Sequence, residues 1–287
     1  MISLASRMNP SLTSGVPGVL ATTCVAFGLG LAIPGTAFAV PGAARAAPAA
    51  AAAKAPAAGA AKAPAAEASK APAAEFPAAS LIIEFNASAE DIGVQFFLDA
   101  EEWQTVRILD PSGKEAFRST ARGRLLDQGG GTELFLESVE PELGEVPLDE
   151  FFETFPEGTY TFLGRTPDGE RLASTVEFTH VIPAGPEIVL PVGSSEECTE
   201  NVPIPAVIAW NDVTTTIDDS PLEVDRYEVI VENDESNFDV HMAPGADTQI
   251  TVPTEFLTPG AEYNFEVLAI EAGGNQTITE GCFVTAE

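Results

Sequence analysis

Leu257-Thr258-Pro259-Gly260-Ala261-Glu262-Tyr263-Asn264-Phe265-Glu266-Val267-Leu268-Ala269-Ile270 is the stretch whose reading decides the fold. Pro259-Gly260 is a turn dipeptide. Beyond it Tyr263, Phe265, Val267 and Ala269 alternate with Glu262, Asn264 and Glu266, the period of a half-buried strand. Working outward, Asp225 to Val231 alternates in the same way. Ala206 to Trp210 is a short apolar run that ends on a Trp, and Gln249 to Val252 is a further short strand. Short strands separated by turn residues predict a β-sandwich for the end of the chain.

These residues resemble the fibronectin type III pattern. Leu257, Pro259-Gly260 and Tyr263 match its Leu, Pro-Gly and Tyr. Trp210 matches its second-strand Trp and Tyr227 its third-strand aromatic. The resemblance implies that Tyr263 forms a tyrosine corner, its hydroxyl bonded to upstream backbone. It covers the chain from Cys198 onward. Asn233 to Asp247 departs from it, reading as acidic and irregular. Such modules bind or space, and no fixed chemistry follows from them.

Residues 80–190 show a looser likeness. Phe155-Pro156-Glu157-Gly158-Thr159-Tyr160-Thr161-Phe162 repeats the Pro, Gly, aromatic rhythm. Strands are predicted at Leu81–Phe85, Val94–Leu98, Gln104–Leu109, Glu115–Arg118, Glu133–Val139, Tyr160–Gly164 and Ala173–His180. Asp110-Pro111-Ser112-Gly113 and Pro167-Asp168-Gly169 are turns between them. Leu148, Phe151, Phe152 and Phe155 share one helical face, which predicts a short helix. An immunoglobulin-like sandwich is inferred, and residues 183–195 read as a linker to the next unit.

The N-terminus reads as an export signal. Arg7 is the one charged side chain in the first forty residues, an apolar stretch runs from Val16 to Ile33, and Ala37-Phe38-Ala39 offers a cleavage site. Retention as an anchor is one alternative; a lipoprotein signal is the other, and Ala21-Thr22-Thr23-Cys24 fits it poorly. Residues 40–79 are rich in Ala and Pro, with Lys-Ala-Pro-Ala-Ala starting at Lys54, Lys62 and Lys70. Proline at that spacing blocks a long helix and alanine offers little surface to pack, so a disordered tether is expected. The predicted domains are therefore 1–39 signal peptide, 40–79 linker, 80–190 immunoglobulin-like sandwich and 191–287 fibronectin type III-like domain. The expected fold class is all-β.

Charge narrows function. The chain carries 44 acids against 13 basic residues, a formal net charge of −31. Nucleic acid and anionic lipid, which need a positive surface, are excluded as partners. Cys198 and Cys282 flank the last domain, and in an oxidising compartment they are expected to form a disulfide. Two buried thiols are the alternative. With only His180 and His241 in the chain, a zinc site on these cysteines lacks supporting ligands.

No nucleophile elbow, phosphate loop or His-Glu-x-x-His is present, and both histidines read as surface residues. Gly129-Gly130-Gly131 reads as a flexible loop. The chain is expected not to be an enzyme and to need no cofactor, with calcium as the one cation to weigh. The calcium candidates are Glu84, Asn86 and Asp91 in one group and Asp234, Glu235 and Asp239 in a second. Solvated acidic loops are the plainer reading of both. The expected function is an exported, periplasmic or extracellular module that contacts a protein or glycan, without membrane insertion after cleavage. The alternatives are a purely structural envelope component and an accessory subunit of an exported hydrolase.

Overall fold

The computed structural model describes residues 73–243 and 245–287. The expected signal segment, Cys24 and most of the tether lie outside the described residues. The chain is all-β and folds into two immunoglobulin-like sandwiches around separate cores. Among the described residues no helix is long and apolar enough to cross a membrane.

The first core begins with Phe76, so the expected tether 40–79 is corrected at its end: Ala74 bridges to Leu172, Phe76 is buried and β1 (Ala78–Asn86) has begun, along which Leu81, Ile83 and Phe85 alternate. β2 (Asp91–Trp103) returns antiparallel, bringing Ile92, Val94, Phe96 and Leu98 to the same face. β3 (Thr105–Leu109) and β4 (Glu115–Thr120) form a hairpin. Its turn is held by Asp110 Oδ1, which accepts the amides of Ser112 at 2.9 Å and Lys114 at 2.8 Å. α1 (Arg124–Asp127) leads to β5 (Gly131–Glu137). The Gly129–Gly131 segment is no free loop. A Cβ on Gly131 would sit 2.6 Å from the Trp103 ring, and one on Gly130 2.4 Å from the Trp103 carbonyl. The glycines let β5 close over that buried Trp.

The expected helix forms as α2 (Leu148–Thr154), with Phe151 buried in the core. β6 (Gly158–Arg165) and β7 (Arg171–Phe178) complete the unit. Sheet β4-β3-β6-β7 faces β1-β2-β5. Val106, Ile108, Tyr160 and Phe162 meet Ile83, Val94 and Leu98 between them, all fully buried.

The second unit repeats this connectivity. β8 (Ile188–Leu190), β10 (Val207–Trp210) and β13 (Gln249–Thr251) form one sheet in the order β13-β10-β8. The extra strand β9 (Thr199–Val202) lies between β8 and β10 in the chain. β11 (Arg226–Glu232), β12 (Asn237–His241), β14 (Glu262–Ile270) and β15 (Gln276–Thr285) form the facing layer, in the order β12-β11-β14-β15. Leaving β9 aside, the strands of each unit run 5-2-1 in one layer and 4-3-6-7 in the other. Two expectations are corrected. Residues 183–195 contain the first strand, β8. The region read as irregular contains β12, whose Phe238 and Val240 pack against the core while Asn237, Asp239 and His241 face away.

The units share a sheet. β1 pairs in parallel with β15, setting Glu84 beside Gln276, Phe85 beside Thr277 and Asn86 beside Ile278. The path β12-β11-β14-β15-β1-β2-β5 is thus continuous, with β9 pairing the far end of β15. Register partners share a face, so Phe85 and the core residues of β14 and β15 point the same way. Both cores lie on one side of this sheet. The opposite side carries a second pattern: Ile82, Glu84 and Asn86 on β1, Gln276, Ile278 and Glu280 on β15, Glu266, Leu268 and Ile270 on β14, and Glu228, Ile230 and Glu232 on β11.

Candidate functional site

That opposite face concentrates the unusual chemistry. Ile230, Leu268, Ile270 and Ile278 form a small apolar cluster across three strands. Carboxylates surround it. Glu84 is 8% exposed and accepts a hydrogen bond from Gln95 Nε2 at 2.8 Å and another from Gln276 Nε2. Burial pushes its carboxyl up to about 7; the Gln276 bond opposes that, and Glu140 and Glu137 reinforce it. Burial raises Glu266 to about 8, helped by Glu280, Glu232, Glu84 and Glu228. Glu228 rises to about 7, first through burial and then through Asp239. Asp91 rises to about 6 through burial and the neighbouring Glu280 and Glu142. Carboxyl groups in low dielectric, facing one another, hold their protons more tightly.

The calcium candidates are regrouped by the fold. Glu84 does not meet Asn86 and Asp91. Its carboxylate lies within 4.8 Å of those of Glu137 and Glu140. Asn86 Oδ1 is taken by the turn, accepting the amides of Ser88 at 2.9 Å and Ala89 at 3.1 Å, and Asn86 Nδ2 donates to Glu280 Oε1 at 2.8 Å. In the second group, Asp234 and Glu235 sit in the turn between β11 and β12. Asn233 Oδ1 ties that turn to the amides of Glu235 and Ser236. Asp239 lies on β12 and groups with Glu228 and His241. Asn86 and Asp91 are register partners across β1 and β2, so strand pairing, not nearness in sequence alone, decides which of these groups meet.

His180 is corrected from surface residue to packed residue. Its Nε2 lies 2.7 Å from the Phe155 carbonyl, and its ring stacks on Phe152 at 3.9 Å. Tyr263 OH accepts from the Thr258 amide at 2.8 Å and donates to the Phe256 carbonyl at 3.2 Å, with Leu257 buried beside it. Trp210 meets Tyr227 edge to face at 5.3 Å. Cys198 and Cys282 form a disulfide that fastens the start of β9 to β15.

A cleft of about 700 Å³ opens at the loop end of the second sandwich, within the size range of ligand sites. Asp212, Glu223, Asp225 and Asp247 line it with Arg226 and Tyr227. Arg226 is paired with Asp225 at 3.0 Å, and Tyr227 donates its hydroxyl to Asp212 at 2.8 Å. The cleft is net acidic. Sequence reading missed it because its acids come from two separate connections, β10–β11 and β12–β13.

No known family profile matches the chain, and no curated protein does. Solved structures match the chain at low identity. One is the tetra-tandem repeat in the extending region of a large adhesion protein, at 12% identity and a TM-score of 0.24, covering 72% of this chain and 49% of that one. Another is the FN1–FN3 segment of chicken CNTN1, at 10% identity and a TM-score of 0.30, covering 75% of this chain and 65% of that one. The chain thus spans about half and just under two thirds of these two structures. The sandwich assignment rests on the chain's own strand order.

Proposed function

We propose that the chain is an exported, non-catalytic binding or spacer module that holds two sandwiches in fixed register and contacts a protein or glycan partner. The observation that carries this reading is the parallel pairing of β1 with β15, which makes one sheet of two units. Units joined only by a linker move independently, whereas units that share backbone hydrogen bonds present their surfaces as one body. Export is supported by the disulfide, since such bonds persist in oxidising compartments. The acidic loop-end cleft is the contact site. Its charge suits a partner with a basic group.

Affinity capture tests this. The chain is immobilised and exposed to surface extract of the producing cell, beside a Glu223→Lys/Asp247→Lys variant. A partner retained by the parent, released by salt and lost in the variant is the expected result. Recovery of nothing by the parent would leave spacing without binding.

A further inference from the structure

Among the described residues, strands β11 and β12 bring together the one set of side chains on the sheet face with mixed ligand chemistry. Glu228 and His241 are register partners, and Asp239 precedes His241 by two residues on the same face. One donor atom from each lies within 4.8 Å of the other two. His241 Nδ1 is 3.1 Å from Glu228 Oε2, and its Nε2 is 3.8 Å from Asp239 Oδ2. We propose that Glu228, Asp239 and His241 form a binding site for a divalent cation of the zinc class.

The donor set selects that class. Calcium and magnesium favour oxygen-only shells, while zinc combines imidazole nitrogen with carboxylate oxygen at three protein positions and leaves a fourth open. The Glu84, Glu137 and Glu140 group differs in this respect. It offers oxygens alone, and Glu84 Oε2 already accepts from two glutamines. Electrostatics favours an ion at the mixed site. The Glu228 carboxylate is buried, and its strand neighbour Arg226 is already paired with Asp225. A cation shared by two facing carboxylates relieves both their repulsion and the cost of burial.

Position matters as well. All three side chains stand on paired strands, which hold ligands more rigidly than loops do. β12 is the edge of the long sheet, and His241 is 45% and Asp239 30% exposed, so an ion has a route in. No other imidazole competes. His180 is stacked and bonded to backbone, and Cys198 and Cys282 are joined.

The test is calorimetric titration of the full chain, produced without a histidine tag and stripped with chelator. Zinc, calcium and magnesium chlorides are titrated separately. One zinc per chain is expected, tighter than calcium or magnesium. Loss of a supporting partner weakens metal sites about 10- to 100-fold, so His241→Ala and Asp239→Asn should each lose at least about tenfold in affinity. Metal-free melting of both variants shows that they remain folded; if His241→Ala does not, His241→Gln replaces it. No zinc uptake at millimolar concentration, parental affinity in either folded variant, or calcium binding more tightly than zinc would each overturn the proposal.

Discussion

Tyr263 does two jobs. Its ring fills the second core at 1% exposure, while its hydroxyl accepts from Thr258 and donates to Phe256, fastening the turn that enters β14. Tyr263→Phe keeps the ring and removes both bonds. An amide left without its acceptor costs about 1–3 kcal/mol. Urea unfolding should therefore show a lower midpoint with an unchanged slope; an unshifted midpoint would mean the corner contributes nothing. Gly281 makes a second residue-scale case. A Cβ there would lie 2.3 Å from the Phe265 ring. Gly281→Ala should destabilise by about 1–3 kcal/mol through overpacking, read in the same assay. Tyr263 and His241 differ in legibility. Tyr263 could be read because its partners lie within a few residues, beside Pro259-Gly260. The meeting of His241 with Glu228 could not, because it depends on the register between two strands.

At the scale of elements, the parallel seam between β1 and β15 is held by side chains as well as backbone. Asn275 is 2% exposed. Its Oδ1 accepts the Ile83 amide at 2.8 Å, and its Nδ2 donates to the carbonyls of Val181 at 2.9 Å and Thr179 at 3.0 Å. Asn275→Ala should cost roughly 2 kcal/mol or more by orphaning buried backbone groups. Hydrogen exchange should quicken at Ile83 and along β1 while the centres of β6 and β14 stay protected. Uniform acceleration would show that the seam does not open separately. The disulfide is the second fastening. It closes a separation of 84 residues, for which chain entropy gives about 4.6 kcal/mol. Cys198→Ser/Cys282→Ser should melt markedly lower, and an equal melting temperature would contradict that. Strands with strict alternation and a heavy apolar face, such as β3, β11 and β14, were legible in the sequence. β8, at three residues, and β9, at four, were too short to show a period. β12 has the right alternation but was masked by its acids. The seam had no local signal, because it pairs strands from opposite ends of the fold.

The whole molecule carries a formal net charge of −31, with 20 acids from Gly193 onward against Arg226 alone. Such a chain repels itself, and the sheet face adds carboxylates that burial keeps protonated. Burial raises Glu84 to about 7 and Glu266 to about 8, each above the ordinary carboxyl value of 4.5. Between pH 4.5 and 8 the folded chain therefore holds protons at these groups that the unfolded chain has released. Their contribution is full below 4.5 and is lost as pH rises through 7 and then 8. At one pKa unit to about 1.4 kcal/mol, Glu84 alone accounts for roughly 3 kcal/mol across that window. Glu115 runs the other way. Its bonds to Arg118 and Arg107 hold it down near 2, so its contribution fades only as pH falls from 4.5 toward 2. The melting temperature should thus peak near pH 5 and decline steadily to pH 8.5. Glu84→Gln keeps an oxygen for Gln95 and Gln276 but cannot ionise. It should flatten the decline and melt above the parent at pH 8.5, where the parent must carry that charge buried. Added salt should help the parent more at pH 8.5 than at pH 5, because only the ionised face gains from screening. A parent whose melting temperature rises between pH 5 and 8.5 would show that the carboxylates of this face are ionised and satisfied.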